Sequence, residues 1–257
     1  ELLLGWYAAG HRDLPWRRDR EPYHVWLSEV MLQQTRVEAV RGYYLRFLAE
    51  LPDISALAAC PPDRLAKLWE GLGYYSRMRN LQKAAQVIVS EYGGVFPQEY
   101  EKIRALPGVG DYTAGAVASI CFDQPEPAVD GNVLRVLSRV ADDPSPVTDA
   151  AVKKEYAARL REIYPAGHCC EFTQSLMELG ATLCGPNTQP QCTLCPLRAH
   201  CDAYDASDAE DLPVLPQKNP PKPFDWDVLL IFSGEKVLMR QRTAAAGHDG
   251  DLAAKIS

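Results

Sequence analysis

The sequence has no hydrophobic run of the length that a membrane span requires. No segment of its 257 residues approaches the roughly 20 consecutive apolar residues of a transmembrane helix. The opening stretch, ELLLGWYAAGHR, also lacks the long apolar stretch of a secretion signal. These two absences argue against a membrane protein and predict a cytoplasmic one.

The chain also lacks a positive net charge. Lysine and arginine number 27 against 34 aspartates and glutamates, which gives a formal charge of −7. This balance argues against a protein that holds nucleic acid by bulk positive charge. A DNA-binding protein stays compatible with it if the basic groups form one patch, and RRDR at 17–20 and RMRN at 77–80 are locally basic. Taken alone, each of these clusters is more simply interpreted as a solvated face.

The sequence shows no internal repeat and no long low-complexity tract. With 47% hydrophobic and 24% charged residues it has an ordinary globular composition, and it is long enough for two domains. From Pro22 to about Cys201 nearly every segment has the helical period. Short turns with Pro or Gly separate these segments, which are VEAVRGYYLRFLAEL, PPDRLAKLWEGL, NLQKAAQVIVSEY, EYEKIRAL, DYTAGAVASICF, NVLRVLSRV, TDAAVKKEYAARLREIY and EFTQSLMELGATLC. The pattern predicts a mostly α fold.

The pattern changes after residue 204. Residues 213–223, PVLPQKNPPKP, contain five prolines and predict a stiff linker. The segments DVLLIF and KVLMRQR then flank the turn residues SGE, which predicts a β-hairpin. Too few residues follow for an independent core. The tail is therefore either a fragment of a second domain or a segment that packs on the first.

Glu29 lies within the apolar stretch YHVWLSEVMLQQT. In a helix, Val25 and Trp26 lie four and three positions before Glu29, and Leu32 lies three after it. The carboxyl group therefore shares the face that is predicted to be buried. Because an apolar environment disfavours the charged form, we expect Glu29 to retain a proton.

The stretch LPGVGDYTAGAVASI, residues 106–120, predicts a helical hairpin with Gly108 and Gly110 in its turn. Glycine lets the backbone approach a partner closely, and the following helix directs its unpaired N–H groups toward that partner. A tight turn without a partner is the simpler interpretation of a lone GxG. The complete hairpin, with a helix on either side, favours binding of a DNA phosphate.

Four of the eight cysteines crowd together as Cys184, Cys192, Cys195 and Cys201, spaced C-x7-C-x2-C-x5-C. In an intracellular chain, such crowding indicates a metal or cluster site rather than disulfides. Four thiolates this close can hold a 4Fe-4S cluster or a tetrahedral zinc ion. The paired CxxC pattern of zinc ribbons is absent, so the spacing favours the iron-sulfur cluster.

Asp130 and Asn132 precede the apolar-periodic helix in PAVDGNVLRVLSRV. The simplest interpretation makes one of them an N-cap, which does not exclude a function. A carboxylate at a helix N-terminus has its ionised form stabilised, so Asp130 is expected to stay charged at neutral pH. A protonated Glu29 and an ionised Asp130 would divide the work of glycosidic-bond cleavage between an acid and an anionic stabiliser.

Together these motifs resemble the adenine DNA glycosylases of the MutY type, which belong to the helix-hairpin-helix glycosylase superfamily. The resemblance extends over about residues 1–204 in the family's order and is carried by the cysteine set together with LPWR, SEVMLQQT, GLGYYSR, LPGVG and VDGNV. It implies a monomeric bacterial enzyme that acts on double-stranded DNA and removes adenine mispaired with 8-oxoguanine or guanine. It also implies a 4Fe-4S cluster on the four cysteines.

The resemblance assigns roles to four catalytic residues. Glu29 would protonate the adenine and help to handle water, and Asp130 would stabilise the oxocarbenium-like sugar. Asn132 would orient Asp130 through a hydrogen bond. Tyr112 lies where related endonuclease III enzymes carry a Schiff-base lysine, and a phenol cannot perform that chemistry. This implies a monofunctional glycosylase. The residues expected to contact DNA or the adenine are Trp16, Arg17, Leu32, Gln34, Tyr74, Gly108, Gly110 and Gln174.

The resemblance also implies a domain organisation. A glycosylase domain spans 1–204, with a helical barrel at about 18–125 and a cluster lobe formed by about 1–17 and 126–204. Residues 205–224 are an acidic and Pro-rich linker, and 225–257 are a fragment of a MutT-like domain. These bounds are expectations from the motifs and from the change in composition.

Two departures and two rivals qualify the resemblance. The gap between Cys184 and Cys192, GPNTQPQ, holds seven residues where the family usually has six, and it lacks the family's basic residues. The GLW-type continuation of a MutT-like domain is not recognisable beyond Arg242. The rival enzyme is an endonuclease III-like glycosylase/lyase for oxidised pyrimidines. The other rival is a non-catalytic DNA-binding module in which Glu29 is an ion-paired core residue.

Overall fold

The computed structural model describes residues 1–186, 189–216, 223 and 230–238. The chain divides into two compact units, residues 1–216 and 217–257. Within the described residues, no helix is long and apolar enough to span a membrane. The residues beyond Arg242, in which the sequence shows no recognisable GLW-type continuation, lie outside the described residues.

The first unit is helical throughout its described part. Its helices are α1 (Leu2–Gly10), α2 (Pro22–Leu32), α3 (Val37–Glu50), α4 (Ile54–Ala59), α5 (Pro62–Trp69), α6 (Tyr75–Tyr92), α7 (Tyr100–Arg104), α8 (Asp111–Phe122), α9 (Gly131–Val140), α10 (Ala150–Ile163), α11 (Cys169–Thr182) and α12 (Asp202–Ala206). Single 3₁₀ turns lie at Pro15–Arg17, Cys192–Leu194 and Arg198–His200. The mostly α fold predicted from the sequence is confirmed.

Local sequence explains where several helices begin. A proline occupies the first turn of α2 and of α5, where its missing N–H costs nothing. Asp53, Asp130 and Asp149 cap α4, α9 and α10, each accepting a hydrogen bond from a backbone N–H of the first turn. Gly93 ends α6 in the left-handed conformation with φ of 63°.

The first unit has two main apolar cores. The larger core is built from α2, α3, α5, α6 and α8, and its most buried side chains include Trp26, Trp69 and Phe47. The smaller core joins Leu3 of α1 to apolar residues of α9, α10 and α11. Helix α8 packs against α2 and also against α11, so it connects the two cores.

Three helices were not predicted from the sequence, namely α1, α4 and the five-residue α12. Helix α1 is apolar on all sides, so its sequence shows no amphipathic period, and α4 has only six residues. Residues 205–216, which the sequence places in the linker, belong to the first unit. Within them Ala209 and Leu212 are buried against Ala203, and the Nε of Arg139 donates to the carbonyl of Leu212 over 2.9 Å.

The described part of the second unit is an antiparallel pair of strands. Strand β1 (Phe232–Ser233) pairs with β2 (Lys236–Val237), with Phe232 opposite Val237. The turn begins at Gly234, whose φ of 59° suits glycine. A hairpin is therefore present within residues 230–238, with Ser233 in β1 rather than in the turn that the sequence predicts. Residues 227–229 and 239–242 of the two predicted strands lie outside the described residues.

Candidate active site

A cleft of about 350 Å³ is lined by residues from α2, α8, α9, α11 and the 3₁₀ turn at Pro15–Arg17. Most of the site residues expected from the sequence meet here although they are far apart along the chain. The nine that line it are Trp16, Arg17, Glu29, Leu32, Gln34, Tyr112, Asp130, Asn132 and Gln174. Apolar side chains supply much of the remaining wall, as in other small-molecule pockets.

Glu29 sits in α2 with only 6% of its surface exposed. Burial raises the pKa of its carboxyl group to about 7, and the neighbouring charge of Asp130 acts in the same direction. The hydroxyl of Tyr112 donates to Oε2 of Glu29 over 2.5 Å and opposes the rise by stabilising the anion, as does Arg17. The carboxyl group therefore exchanges its proton near neutral pH, which suits an acid–base catalyst.

Asp130 is the N-cap of α9. One carboxylate oxygen accepts the backbone N–H of Val133 over 2.8 Å, and the other accepts Nδ2 of Asn132 over 2.8 Å. The sequence predicts that the helix N-terminus stabilises the ionised form of Asp130, so that it stays charged at neutral pH; the direction of the pKa shift needs correction, and the charge at neutral pH stays a prediction. Burial raises the pKa of Asp130 and outweighs the hydrogen bonds from Val133 and Asn132, which act to lower it.

Two helix glycines explain how the segment around Asp130 approaches the cleft. A Cβ on Gly115 of α8 would lie 2.1 Å from the carbonyl oxygen of Pro127, and one on Gly180 of α11 would lie 2.7 Å from Cβ of Asn132. Neither position can carry a side chain without moving the backbone of the Asp130 segment. The sequence contained this signal as glycines inside helical segments, where glycine otherwise weakens the helix.

Arg135 connects Asn132 to the cysteine-rich loop. This arginine is 6% exposed, and one terminal nitrogen donates to Oδ1 of Asn132 over 2.9 Å and to the carbonyl of Gly180 over 2.7 Å. Its Nε donates to the carbonyl of Cys184 over 2.7 Å. Sequence reasoning missed this residue, although an arginine within the apolar period of α9 was a visible signal.

A buried carboxylate fixes Arg17 at the cleft. Glu178 is 1% exposed and accepts from Arg12 and Arg17, with Oε2 2.7 Å and 2.8 Å from their respective terminal nitrogens. Burial alone would raise the pKa of Glu178, but the two arginines outweigh it and lower the pKa to about 2. Glu178 was also missed, although it is a charge on an apolar helix face, the same signal that singled out Glu29.

Gln174 lines the cleft, and both the oxygen and the nitrogen of its amide have a partner. The hydroxyl of Tyr7 in α1 donates to Oε1 of Gln174, and the amide nitrogen lies 3.6 Å from Sγ of Cys170. The Tyr7 ring stacks on His11 with centroids 4.2 Å apart. The opening segment of the chain thus buttresses the cleft, a contribution that no motif indicated.

Three expected DNA-contacting residues lie outside the cleft. Tyr74 is 59% exposed immediately before α6. Gly108 has φ of 76°, and a Cβ there would lie 2.6 Å from Cβ of Asn80, so the turn between α7 and α8 requires glycine. Gly110 is the N-cap of α8 with open space around its Cα, which leaves the helix N-terminus accessible.

The four clustered cysteines surround a second, small pocket. Cys184, Cys192, Cys195 and Cys201 all line it as free thiols, together with apolar side chains from α9 and α11. A terminal nitrogen of Arg139 lies 3.2 Å from Sγ of Cys184. Four soft sulfur donors with a cation and an apolar wall fit an iron-sulfur cluster. This fit concerns the chemistry of the donors, because among the described residues no three His, Cys, Asp or Glu side chains are already gathered closely enough to hold a single metal ion.

The helical hairpin and the cleft that holds the buried carboxyl group of Glu29 and the half-buried one of Asp130 define the class of the protein, a DNA-repair enzyme fold. The sequence model of a protein family, the HhH-GPD superfamily of base excision DNA repair proteins, matches residues 27–162 of this chain. This match covers more than half of the chain, so the chain belongs to that superfamily.

Individual relatives agree with this assignment. A mouse protein named adenine DNA glycosylase is 44% identical over 223 residues, which cover 83% of this chain and 43% of that protein. The chain therefore spans less than half the length of this relative. A thermostable thymine-DNA glycosylase structure superposes with a TM-score of 0.71 at 28% identity, covering 80% of this chain and 94% of that one. A non-covalent endonuclease III–DNA complex gives 0.65 at 25% identity, covering 79% and 94%.

Proposed function

We propose that this protein is a monofunctional adenine DNA glycosylase that hydrolyses the N-glycosidic bond of adenine mispaired with 8-oxoguanine or guanine. The observation that carries the proposal is Glu29, a buried carboxyl group with a pKa of about 7 that shares one cleft with Asp130. The relatives that are named adenine DNA glycosylase support the choice of base. The partner is double-stranded DNA, which a monomer binds.

The roles of the residues follow from what the reaction requires. An adenine inside a duplex cannot reach Glu29, so it must be rotated out of the stack into the cleft. Glu29 then donates its proton to the adenine, which makes the base a better leaving group, and later helps to handle water. Asp130, oriented by Asn132, stabilises the positive charge that develops on the sugar. Trp16, Arg17 and the other cleft-lining residues hold the base.

Tyr112 separates this proposal from its closest rival. It bonds to Glu29 within the cleft, where related lyases place a lysine nucleophile, and a phenol cannot form a Schiff base. An endonuclease III-like lyase would be trapped on damaged DNA by borohydride as a covalent adduct. We expect no adduct, and a stable adduct would favour the lyase.

The four clustered cysteines would hold a 4Fe-4S cluster. When bound, that cluster supplies four iron–thiolate bonds that cross-link residues 184–201, and it can carry one electron. Within the protein, Arg139 places positive charge beside Cys184, and Arg135 holds the Cys184 carbonyl. The longer, uncharged GPNTQPQ gap predicts a weaker contribution of this loop to DNA binding.

The test is adenine release from duplexes that contain A:8-oxoguanine or A:G pairs. Glu29→Gln should abolish release while mismatch binding persists, because the amide keeps the shape of the side chain but cannot donate the proton. Glu155→Gln, an exposed change on α10, is the matched control and should release adenine at the wild-type rate. Retained turnover by Glu29→Gln would refute the assigned role. Binding without base release by the wild type would support the non-catalytic rival.

A further inference from the structure

Two exposed residues have a backbone conformation that residues other than glycine rarely adopt. Gln34, just after α2, has φ of 56°, and Tyr74, just before α6, has φ of 44°. Both belong to the left-handed region, which is strained for residues with a Cβ. Such strain persists only where surrounding contacts impose it, and it concentrates at functional sites.

One side chain imposes it on both segments. A terminal nitrogen of Arg77, in the first turn of α6, donates to the carbonyls of Val30 and Met31, each over 3.0 Å, and to the carbonyl of Gln33. The Val30 and Met31 carbonyls belong to the last turn of α2, and Gln33 is its C-cap, so none of the three has a partner within that helix. The guanidinium thus ends α2 directly before Gln34.

The other terminal nitrogen of Arg77 reaches across both segments. It donates to the carbonyl of Leu72 over 3.1 Å and to Oγ1 of Thr35 over 3.3 Å. The backbone N–H of Arg77 donates to the carbonyl of Tyr74 over 2.9 Å, and its guanidinium lies 5.3 Å from the centroid of the Tyr74 ring. Segments 33–35 and 72–74 are therefore tied to one planar group.

The acceptors of Arg77 are neutral. Within the described residues, no carboxylate lies within ion-pair distance of its guanidinium, whereas Arg12, Arg17 and Arg20 all pair with glutamates. A half-buried guanidinium without a counter-ion gains its stability from the geometry of its hydrogen bonds. The two terminal nitrogens of its planar group match several carbonyls at once, which a lysine ammonium cannot do in the same way.

The resemblance to the adenine DNA glycosylases implies that Gln34 and Tyr74 both enter the duplex near the target base. We propose that Arg77 is a positioning residue that fixes the backbone segments of Gln34 and Tyr74 as one two-pronged wedge for the DNA duplex. The inference rests on the proposed function, because only a base that leaves the helix creates a gap for the wedge to fill. Side chains carried on backbone segments that are already fixed lose less conformational freedom on entering that gap. If the two segments moved independently, each side chain would have to be ordered at the moment of extrusion.

The first experiment measures extrusion apart from chemistry. In a Glu29→Gln background, 2-aminopurine replaces the target adenine, and its fluorescence rises when the base leaves the stack. We expect Arg77→Met to reduce the extruded fraction about 10-fold, which corresponds to about 1.4 kcal/mol. The matched control is Arg64→Met, which removes an exposed arginine of α5 that is ion-paired with Glu50. This control should extrude the base as the parent does.

The second experiment tests the coupling of the two prongs. In the wild type, Gln34→Ala and Tyr74→Ala should lower single-turnover adenine release non-additively, because they belong to one unit. In the Arg77→Met background the two losses should become additive. The basic limb of the pH–rate profile should stay in place, since Arg77 does not contact Glu29. Arg77→Lys should behave more like Arg77→Met than like the wild type, and it replaces Arg77→Met where the latter does not fold.

Three outcomes would overturn the inference. The first is an unchanged extruded fraction in Arg77→Met. The second is additivity of Gln34→Ala and Tyr74→Ala in the wild type. The third is a loss of rate that tracks only the loss of thermal stability and vanishes at low temperature. If the wild type releases no adenine from either mismatch, the proposed function fails and this inference fails with it. If the wild type releases adenine and Arg77→Met extrudes the base as its parent does, this inference is refuted while the proposed function stands.

Discussion

Replacing Tyr112 by phenylalanine should shift the pH dependence of base release in a defined direction. The Tyr112 hydroxyl donates to Glu29 and stabilises its anion, so it holds the pKa of Glu29 below the value that burial alone would give. Without the hydroxyl, burial still raises the pKa of Glu29, but the hydrogen bond that contributes most to lowering it is gone. We therefore expect the pKa of Glu29 to rise above its present value of about 7.

The size of the change follows from the energy of one hydrogen bond to a charged group. Such a bond contributes about 1.5 to 3 kcal/mol, and 1.36 kcal/mol corresponds to one pKa unit. The pKa of Glu29 should then rise by about one to two. At pH 9 the protonated fraction of Glu29, and with it the rate, should increase over the wild type about tenfold for a rise of one and about fiftyfold for a rise of two. Below pH 6 the two proteins should differ little, since both hold the proton.

The assay is single-turnover adenine release between pH 5.5 and 9.5, which isolates chemistry from product release. Tyr156→Phe is the matched control, because Tyr156 also donates to a carboxylate, Asp143, over 2.7 Å but lies outside the cleft. Its profile should coincide with that of the wild type. A basic limb that stays in place in Tyr112→Phe, or moves to lower pH, would show that Glu29 is not the titrating acid.

Three further predictions concern stability, packing and the thiols. Burial raises the pKa of Glu29 from 4.5 to about 7, so its contribution to the free energy of unfolding is complete below pH 4.5 and is lost as the pH rises through 7. Between these limits the wild type should lose about 3 kcal/mol of stability, measured by urea unfolding. Glu29→Gln should not show this loss. Gly180→Ala would push a methyl group against Asn132, next to the N-cap of α9, and should lower the free energy of unfolding by about 1 to 3 kcal/mol and slow single-turnover adenine release. The control is Gly42→Ala, whose Cβ would meet only the end of a flexible arginine and should leave both unchanged. A wild-type rate in Gly180→Ala would contradict this packing argument. Cys195→Ser should abolish the visible iron–sulfur absorbance and lower the melting temperature, and Cys121→Ser should retain both; a spectrum unchanged in Cys195→Ser would argue against the cluster.

The sequence predicts correctly those features that depend on a single residue or on the helical period of one segment. The helices that contain Glu29 and Tyr112 have clear apolar patterns, and both lie within the elements expected of them. The burial of Glu29, and hence its raised pKa, could be predicted because a carboxyl group interrupted an apolar face. The hairpin turn at Gly108 was likewise visible as a short motif.

The remaining features depend on contacts between distant parts of the chain. The pKa of Asp130 is set by burial from several elements, which outweighs the local capping bonds that the sequence shows. Arg77 meets the end of α2 more than 40 positions earlier, and Arg135 meets Cys184 49 positions later. Nothing in the local sequence around Arg77 distinguishes an arginine that binds carbonyls from one that faces solvent.

Helix α8 contacts both Glu29 and the segment that leads to Asp130. Near its start the Tyr112 hydroxyl donates to Glu29, and one turn later the missing side chain of Gly115 admits the backbone of Pro127, three residues before Asp130. The two carboxyl groups to which we assign the roles of acid and anion are therefore positioned by one and the same helix. We expect any displacement of α8 to move the two groups together.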